Sequence, residues 1–232
     1  MELFERVKTL LVKPKDEWMI IEAENAPHAK VFTGYLLILA LIPAIAIFAN
    51  YWWTWHSAYT EAITRMSAAY GRDMADIIAM VKAQNPFVPK WGIIYAVQQT
   101  VIIIGGAYIA AALINALSDQ FGAAKDFNRT FALAAYSYTP LCVAGLLYFY
   151  SPLAGLVPYI GLYGIYLLYL GSDTLLRPAA DKKTLCFIIA TLASVIVFVV
   201  LTKIVPEITN SILIEQAKSG DAIKNMQKMI PR

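Results

Sequence analysis

The chain has 232 residues, of which 59% are hydrophobic and only 15% are charged, and its net charge is +3. A soluble domain carries about a quarter charged residues, so this composition excludes a soluble globular enzyme, a disordered chain and a disulfide scaffold. The apolar residues gather in charge-free runs of the length that membrane-spanning helices need. These runs cover residues 31–60, 91–118, 130–172 and 184–202.

The runs do not alternate between apolar and polar residues as barrel strands do. The sequence therefore predicts an all-α fold, a polytopic membrane bundle of five transmembrane helices with an N-terminal interfacial amphipathic helix. Residues 1–30 are expected to form a cytoplasmic segment and residues 31–205 the membrane domain. Within that domain residues 52–90 form an extracytoplasmic amphipathic loop, and residues 206–232 are an extracytoplasmic amphipathic tail.

The N-terminal segment carries apolar residues at helical spacing, with charged residues between them. This pattern predicts a helix in the membrane interface, with its charges toward water and its apolar side chains toward lipid. Pro14 ends that helix, and a second piece begins at residues 15–18 and is anchored by the indole of Trp18. We interpret the segment as a membrane anchor, with a docking surface for a cytoplasmic protein as the alternative. The apolar positions are Leu3, Phe4, Val7, Leu10 and Leu11.

The five spans follow from the lengths of the runs. As a single helix, run 130–172 would be about 65 Å long, twice the bilayer core of about 30 Å. We therefore divide it at Ser151-Pro152 into a helical hairpin. Pro43 is expected to kink the first span. The predicted spans are residues 31–51, 91–117, 130–150, 153–170 and 185–205.

The loop between the first two spans carries an amphipathic helical stripe, with opposite charges four residues apart at Glu61–Arg65 and Arg72–Asp76. The stripe could lie on lipid, pack on an apolar stripe of the tail or form a subunit contact, and the sequence does not separate these. The loop stripe is Tyr59, Ile63, Met66, Tyr70, Met74, Ile77 and Val81, and the tail stripe is Ile223, Met226 and Ile230.

An odd number of spans puts the two termini on opposite sides of the membrane. Five basic residues precede the first span, whereas the hairpin tip at Ser151 has none. Basic residues near span ends favour the cytoplasmic side. We therefore predict a cytoplasmic N-terminus and an extracytoplasmic C-terminus.

Few residues could carry chemistry. The two histidines, His28 and His56, lack metal-ligand spacing, and no phosphate-binding glycine loop or nucleophile motif is present. Cys142 and Cys186 fall in predicted spans and are interpreted as packing residues. We expect no catalytic residue, metal or cofactor, and the mild charge does not indicate nucleic acid. The expected partners are the lipid bilayer, further copies of the chain and a cytoplasmic protein.

Uncharged polar residues within the spans form a candidate intramembrane polar site. We interpret them as hydrogen-bonding and packing groups between helices, with Pro140 kinking the third span. The alternative is a path or pocket for a polar solute or a lipid headgroup. The residues are Gln98, Gln99 and Asn115 in the second span and Tyr136, Ser137, Tyr138, Thr139 and Pro140 in the third.

The fourth span has a tyrosine face and a glycine face. Small residues let helices approach closely, and Gly106 and Ala110 of the second span offer a complementary small face. The tyrosines could line a cavity, although filling space between helices is the favoured interpretation. The tyrosines are Tyr159, Tyr163 and Tyr166, and the glycines are Gly161, Gly164 and Gly171.

Taken in order, these motifs resemble the membrane domain of the Yip (Ypt-interacting protein) family. The motifs are Phe-Gly-Ala-Ala-Lys-Asp-Phe at 121–127, Ala-Tyr-Ser-Tyr-Thr-Pro at 135–140 and the Pro-, Gly- and Tyr-rich fourth span at 158–171. Pro-Lys-Asp-Glu-Trp at 14–18 resembles the bacterial branch. The resemblance covers about residues 5–205.

The resemblance implies five spans with a cytoplasmic N-terminus. Eukaryotic relatives bind Rab-type GTPases in vesicle traffic, but the region before the first span is short here, so GTPase binding is not carried over. The leading hypothesis is a non-enzymatic, oligomeric or partner-binding membrane scaffold. A transporter or channel for a small polar or lipidic solute is the rival, and a subunit of an enzyme whose catalytic protein is separate is a third possibility.

Overall fold

A computed structural model of the chain describes residues 2–70, 88–123 and 125–219. It has five helical segments long and apolar enough to cross a membrane, which confirms the predicted fold class and span count. Each lies within a few residues of its predicted position, with its ends extended by up to seven residues. The segments, called spans 1 to 5 below, are His28–Thr54, Trp91–Ala116, Phe127–Phe149, Ser151–Leu176 and Ala180–Ile212.

Spans 1, 2 and 5 are built on long helices. Span 1 begins with a short helix, His28–Val31, and a π-helical turn, Phe32–Leu36, before helix Leu37–Tyr70, which runs on through Pro43. Span 2 belongs to helix Val88–Ala116, and span 5 to helix Lys183–Ser219 after a 3-10 turn at Ala180–Lys182.

These long helices change the predicted loops. The span 1 helix continues to Tyr70, so the first half of the predicted loop helix, including the Glu61–Arg65 ion pair, is one helix with the span. Met74, Ile77, Val81 and the Arg72–Asp76 pair lie outside the described residues. The span 5 helix likewise runs past the predicted end at residue 205, and the tail stripe of Ile223, Met226 and Ile230 is also outside them.

Spans 3 and 4 are interrupted instead. Span 3 consists of helix Phe127–Ser137, helix Thr139–Ala144 and a 3-10 turn, Gly145–Phe149. The interruption precedes Pro140, which has no N–H to continue the ladder and takes a first-turn position of the next helix. Span 4 is a 3-10 turn at Ser151–Leu156 and helices Val157–Gly161 and Tyr163–Gly171, followed by a π-helical turn at Ser172–Leu176.

Span 3 is the centre of the bundle. Every residue from 130 to 140 is buried, and spans 1, 2 and 4 pack against its two helices. Asp126 caps its first helix by accepting hydrogen bonds from the backbone N–H groups of Asn128 and Arg129, at 2.9 and 3.3 Å. The interruption at Ser137–Tyr138 is therefore enclosed by other helices, which can compensate for the broken ladder.

The N-terminal residues form two helices, α1 (Leu3–Val12) and α2 (Pro14–Glu24), which join the bundle. Leu10, Trp18 and Ile21 belong to the same buried core as spans 1 to 5, and α2 packs on span 4. The prediction that the charges of the first helix face water is wrong for Arg6, which is 5% exposed. Glu17 of α2 is fully buried as well.

The loops sort into two ends of the bundle. At one end Arg177 pairs with Glu22 of α2, and the backbone N–H of His28 donates to Asn128 Oδ1 at 2.8 Å. At the other end Asn50 Nδ2 donates to the carbonyl oxygen of Phe149 at 2.8 Å. The N-terminal helices therefore share one end with the loops between spans 2 and 3 and between spans 4 and 5, as alternating crossings require.

Candidate functional site

The predicted polar residues of span 3 do lie at its interruption, where they face two different environments. One side carries Tyr136 and Thr139, whose polar atoms are all engaged. Tyr35 Oη and Thr139 Oγ1 are hydrogen-bonded at 2.7 Å, and the rings of Tyr35 and Tyr136 lie 4.4 Å apart. Trp18 meets Tyr136 edge-on at 6.1 Å. This side ties span 3 to span 1 and to α2.

The same side holds a charge cluster formed by α1 and α2. The Arg6 guanidinium pairs with Glu24 and lies with its Nε 3.4 Å from Glu17 Oε1. Its Nη1 also donates to Tyr136 Oη at 3.5 Å, and its guanidinium carbon is 5.8 Å from the centre of that ring. We call Arg6, Glu17, Glu24 and Tyr136 the N-terminal clamp.

Burial dominates the electrostatics of the clamp. Burial raises the pKa of Glu17 above its ordinary value, and this effect outweighs the opposing pull of Arg6. Desolvation opposes the charge of Arg6, but the hydrogen bond to Glu24 and the nearby acids outweigh it, so the pKa of Arg6 is raised. The cluster thus keeps its cation while its buried carboxylate takes up a proton more readily than a free one.

Glycine lets α2 approach span 4 closely. A Cβ built on Gly171 would lie 2.6 Å from Leu133 and 2.7 Å from Trp18, distances that real Cβ atoms do not show. Trp18 is fully buried against this glycine. The Trp18 indole, predicted to be an interfacial anchor, is therefore a core side chain that locks α2 onto spans 3 and 4.

Ser137 and Tyr138 face the other side of span 3, toward spans 2, 4 and 5. A Cβ on Gly164 would lie 2.5 Å from the carbonyl oxygen of Ser137, and a Cβ on Gly106 would lie 2.7 Å from Tyr138 Oη. Both hydroxyl oxygens are buried and have no hydrogen-bond partner among the described residues. The backbone approaches are therefore tight, while the side-chain hydroxyls stay unsatisfied.

A groove of about 220 Å³ lies beside these residues, between spans 3, 4 and 5. Its wall is mostly apolar and includes two further hydroxyl side chains from span 5, Thr191 and Ser194, whose oxygens also lack partners. No charged residue lines it in the described part of the chain. The lining residues are Ser137, Tyr138, Leu141, Pro158, Gly161, Leu162, Gly164, Ile165, Leu168, Thr191, Ser194, Val195 and Phe198.

The polar residues of span 2 lie elsewhere. Gln98, Gln99 and Asn115 are half-buried and are not among the residues that line the groove. Gln98 Oε1 and Asn115 Oδ1 are buried without a hydrogen-bond partner among the described residues. The predicted polar site is therefore split in the structure. Its span 3 residues lie together, whereas its span 2 residues lie away from them.

The tyrosine and glycine faces of span 4 have different surroundings. Tyr159 and Tyr166 are 72% and 44% exposed, which does not fit the favoured interpretation that the tyrosines fill space between helices, and Tyr163 Oη donates to the Leu11 carbonyl oxygen of α1 at 3.0 Å. Gly161 and Gly164 line the groove, whereas Gly171 packs on Trp18 and Leu133. The small face of span 2 was expected to pack on the glycine face of span 4. In the structure Gly106 packs on Tyr138 of span 3, and Gly161 and Gly164 also contact span 3, so the two faces do not pack on each other.

Sequence reasoning missed the clamp and the span 5 hydroxyls. A signal for the clamp was present, because Leu3, Arg6 and Leu10 are spaced by three and four residues, as are Glu17, Ile21 and Glu24. A charge on the apolar face of an amphipathic helix indicates a buried ion pair when its neighbour helix carries the opposite charge. No comparable signal distinguished Thr191 and Ser194 from other serines and threonines.

The fold and the site together define a polytopic helical membrane protein with an N-terminal helix pair docked on a five-span bundle. The chain matches the family model of the Yip1 domain over residues 8–202. Because this match covers most of the sequence, the chain belongs to the Yip1 family. No curated protein and no solved structure matches it.

Proposed function

We propose that this protein is a non-enzymatic scaffold that organises the bilayer through its N-terminal helix pair. The observation that carries the proposal is that α1 and α2 are fixed to the bundle by their buried face while large apolar side chains are exposed among the charges of their outer face. Phe4, Val12 and Met19 are 73%, 71% and 58% exposed. An apolar helix face held at one end of a membrane bundle enters one leaflet only.

Charge placement supports this role. Lys8 and Lys13 are exposed on α1 and Lys15 on α2, together with the acids Glu5 and Asp16. Charged residues beside exposed apolar ones are typical of a helix at the membrane interface. The lysines favour a cytoplasmic N-terminus, and with five spans the C-terminus lies on the opposite side.

The packing of the centre favours a scaffold over a solute path. Residues 130 to 140 of the central span are all buried, and the unsatisfied polar groups of span 2 and span 3 do not join into one file. The groove beside Ser137 is the one specific observation that favours the rival hypothesis, a transporter.

Reconstitution separates the two functions. Proteoliposomes carrying the chain are expected to release trapped glycerol and glucose no faster than protein-free liposomes. Release that is selective for one solute and is lost in Ser137→Ala, in a variant that still folds, would establish the transporter instead.

The bilayer effect has its own test. The protein is expected to change lipid packing, reported by an environment-sensitive membrane dye, and Phe4→Ser together with Met19→Ser is expected to remove most of the change. Tyr159→Ser is the matched control, since Tyr159 has nearly the same exposure as Phe4 but lies on span 4. An equal loss in the control, or no change with the wild-type chain, contradicts the scaffold proposal.

A further inference from the structure

The groove between spans 3, 4 and 5 is closed at the end where the N-terminal helices lie. There Lys183 Nζ pairs with Asp173 at 2.7 Å, and one turn further along, the rings of Tyr169 and Phe187 meet edge-on at 5.1 Å. Beyond this ring pair span 5 leans on span 2, where Leu201 Cδ1 lies 3.8 Å from the Cβ position of Gly105. The gap between spans 4 and 5 therefore opens past Tyr169 and Phe187.

The opening faces the outside of the bundle. Leu162 and Val195 stand on its two edges and are 59% and 41% exposed. On a membrane-spanning surface the neighbours of such side chains are lipid chains, so access is lateral, from the bilayer. The groove is larger than the cavity of about 150 Å³ that holds benzene in an apolar protein core, so a ring with substituents or a short chain segment fits.

The hydroxyl groups that line the groove can donate hydrogen bonds to an acceptor on a bound molecule. The hydroxyl oxygens of Ser137, Thr191 and Ser194 have no partner among the described residues, and Ser137 is only 6% exposed. An unpaired buried hydroxyl costs free energy, and its O–H can rotate to donate to an arriving oxygen. Since none of the described residues on the wall is charged, they offer no counter-ion to a charged occupant.

The depth of these hydroxyl groups in the membrane restricts which molecules can reach them. Thr191 is eight residues from Lys183 and Ser137 is eight from Arg129, so each lies about 12 Å along its helix from the charged end. In a hydrocarbon core of about 30 Å, these hydroxyls are near its middle. The ester groups of a phospholipid stay at the edge of the core, whereas a lipid without a charged headgroup can bring a carbonyl this deep.

We propose that this groove is a binding site for a neutral lipid that carries ring carbonyl groups and no charged headgroup, the chemistry of an isoprenoid quinone. The ring occupies the groove, its carbonyl groups accept hydrogen bonds from the hydroxyls of Thr191, Ser194 and Ser137, and the tail leaves between Leu162 and Val195 into the bilayer. No electron or group transfer is involved.

Native mass spectrometry of the detergent-purified full chain tests the site with ubiquinone-2 as the probe. One quinone is expected to bind per chain. Thr191→Val with Ser194→Ala is expected to raise the Kd about fourfold to a hundredfold, since each of the two lost hydrogen bonds is worth about twofold to tenfold in Kd. Thr202→Val is the matched control, because the Thr202 hydroxyl donates to its own helix at Val199 and does not line the groove.

A steric variant keeps the test independent of the hydroxyls. Val195→Trp is expected to fill the opening and abolish quinone binding, whereas Ile196→Trp, at a neighbouring position that is 56% exposed and outside the lining, leaves it intact. Equal affinity for a dioleoyl glycerol or dioleoyl phosphatidylglycerol probe overturns the choice of ligand. An unchanged Kd in the hydroxyl or the Val195→Trp variant overturns the site. The solute-flux assay is unaffected by either outcome.

Discussion

The two sides of span 3 differ in how the hydroxyl groups of that span are bonded. On one side the hydroxyls of Tyr136 and Thr139 are hydrogen-bonded. The buried Glu17 carboxylate on that side is paired with Arg6, although it accepts no hydrogen bond from the described residues. On the other side, beginning with the next residue, Ser137 faces a groove with its hydroxyl unpaired. Since buried polar groups are normally satisfied, the bonded side belongs to the stability of the fold, and the unbonded side is available for a ligand.

The largest expected effect comes from breaking the clamp. Arg6→Met leaves Glu17 buried without its cation and is expected to destabilise the folded protein by about 3–5 kcal/mol. Unfolding of the detergent-solubilised chain, followed by circular dichroism, measures this. The control is Arg177→Met, whose pair with Glu22 is formed by a guanidinium that is 68% exposed, so its cost is about 0–1 kcal/mol. Equal costs would mean that the clamp is not buried in the protein.

A smaller effect is expected where span 4 touches the unbonded side. Gly164→Ala places a methyl group 2.5 Å from the Ser137 carbonyl oxygen and is expected to destabilise by about 1–3 kcal/mol, the cost of overpacking. Gly155→Ala is the control, because nothing lies within 4 Å of its Cβ position. The thermal unfolding midpoints of the two variants test this expectation. A midpoint for Gly164→Ala equal to that of the wild type would contradict the close approach of span 4 to span 3.

Paired and unpaired hydroxyls give the sharpest comparison of the two sides. Thr139→Val removes both the bond to Tyr35 and the bond that Thr139 Oγ1 donates to the Tyr136 carbonyl oxygen, and it is expected to cost about 1–2 kcal/mol. Thr191→Val removes a hydroxyl that has no partner and is expected to be neutral or slightly stabilising in the absence of ligand. Unfolding free energies of the two variants, measured in the same detergent, make the comparison. A cost for Thr191→Val equal to that for Thr139→Val would show that its hydroxyl is bonded.

The pH dependence of stability is the smallest expected effect. The pKa of Glu17 is raised in the folded state, so between its ordinary value and its folded value the folded protein holds more protons than the unfolded chain. Stability contributed by Glu17 therefore falls as pH rises through this window. The other charges near Glu17 are Arg6, Glu24 and the N-terminal amine.

Glu17→Gln cannot titrate, so its unfolding free energy is expected to change less with pH across the window than that of the wild type. Glu22→Gln is the control, since that acid lies on the same helix and pairs with the exposed Arg177. A steeper fall in Glu17→Gln than in wild type would reverse the assigned direction.

Composition and run length were sufficient for the membrane fold, because long charge-free runs have few alternatives in a membrane. Pro140 and Pro152 also predicted where the third and fourth spans are interrupted or joined. The site was only partly predictable. Ser137 and Tyr138 were identified from polarity alone, but their separation from Gln98 and Gln99 depends on how the helices pack around span 3, which no local pattern encodes.

For the N-terminal segment, the spacing of apolar residues predicted the helices but not what surrounds them. The same amphipathic pattern fits a lipid surface and a protein core. Arg6 lies on the face of Leu10 and becomes buried only because Glu17 and Glu24 arrive on α2. Burial of a charge depends on a partner from another element, and such pairing is a tertiary property.

The central claim is that α1 and α2 are part of the folded bundle and that their docking on it buries the Arg6–Glu17 pair. A double-mutant cycle with Arg6→Met, Glu17→Leu and the double variant measures this contact most directly, from unfolding free energies in detergent. The predicted result is a coupling of about 2 kcal/mol or more, with Glu17→Leu restoring most of the stability that Arg6→Met removes. Additive effects, with no rescue in the double variant, would contradict the claim.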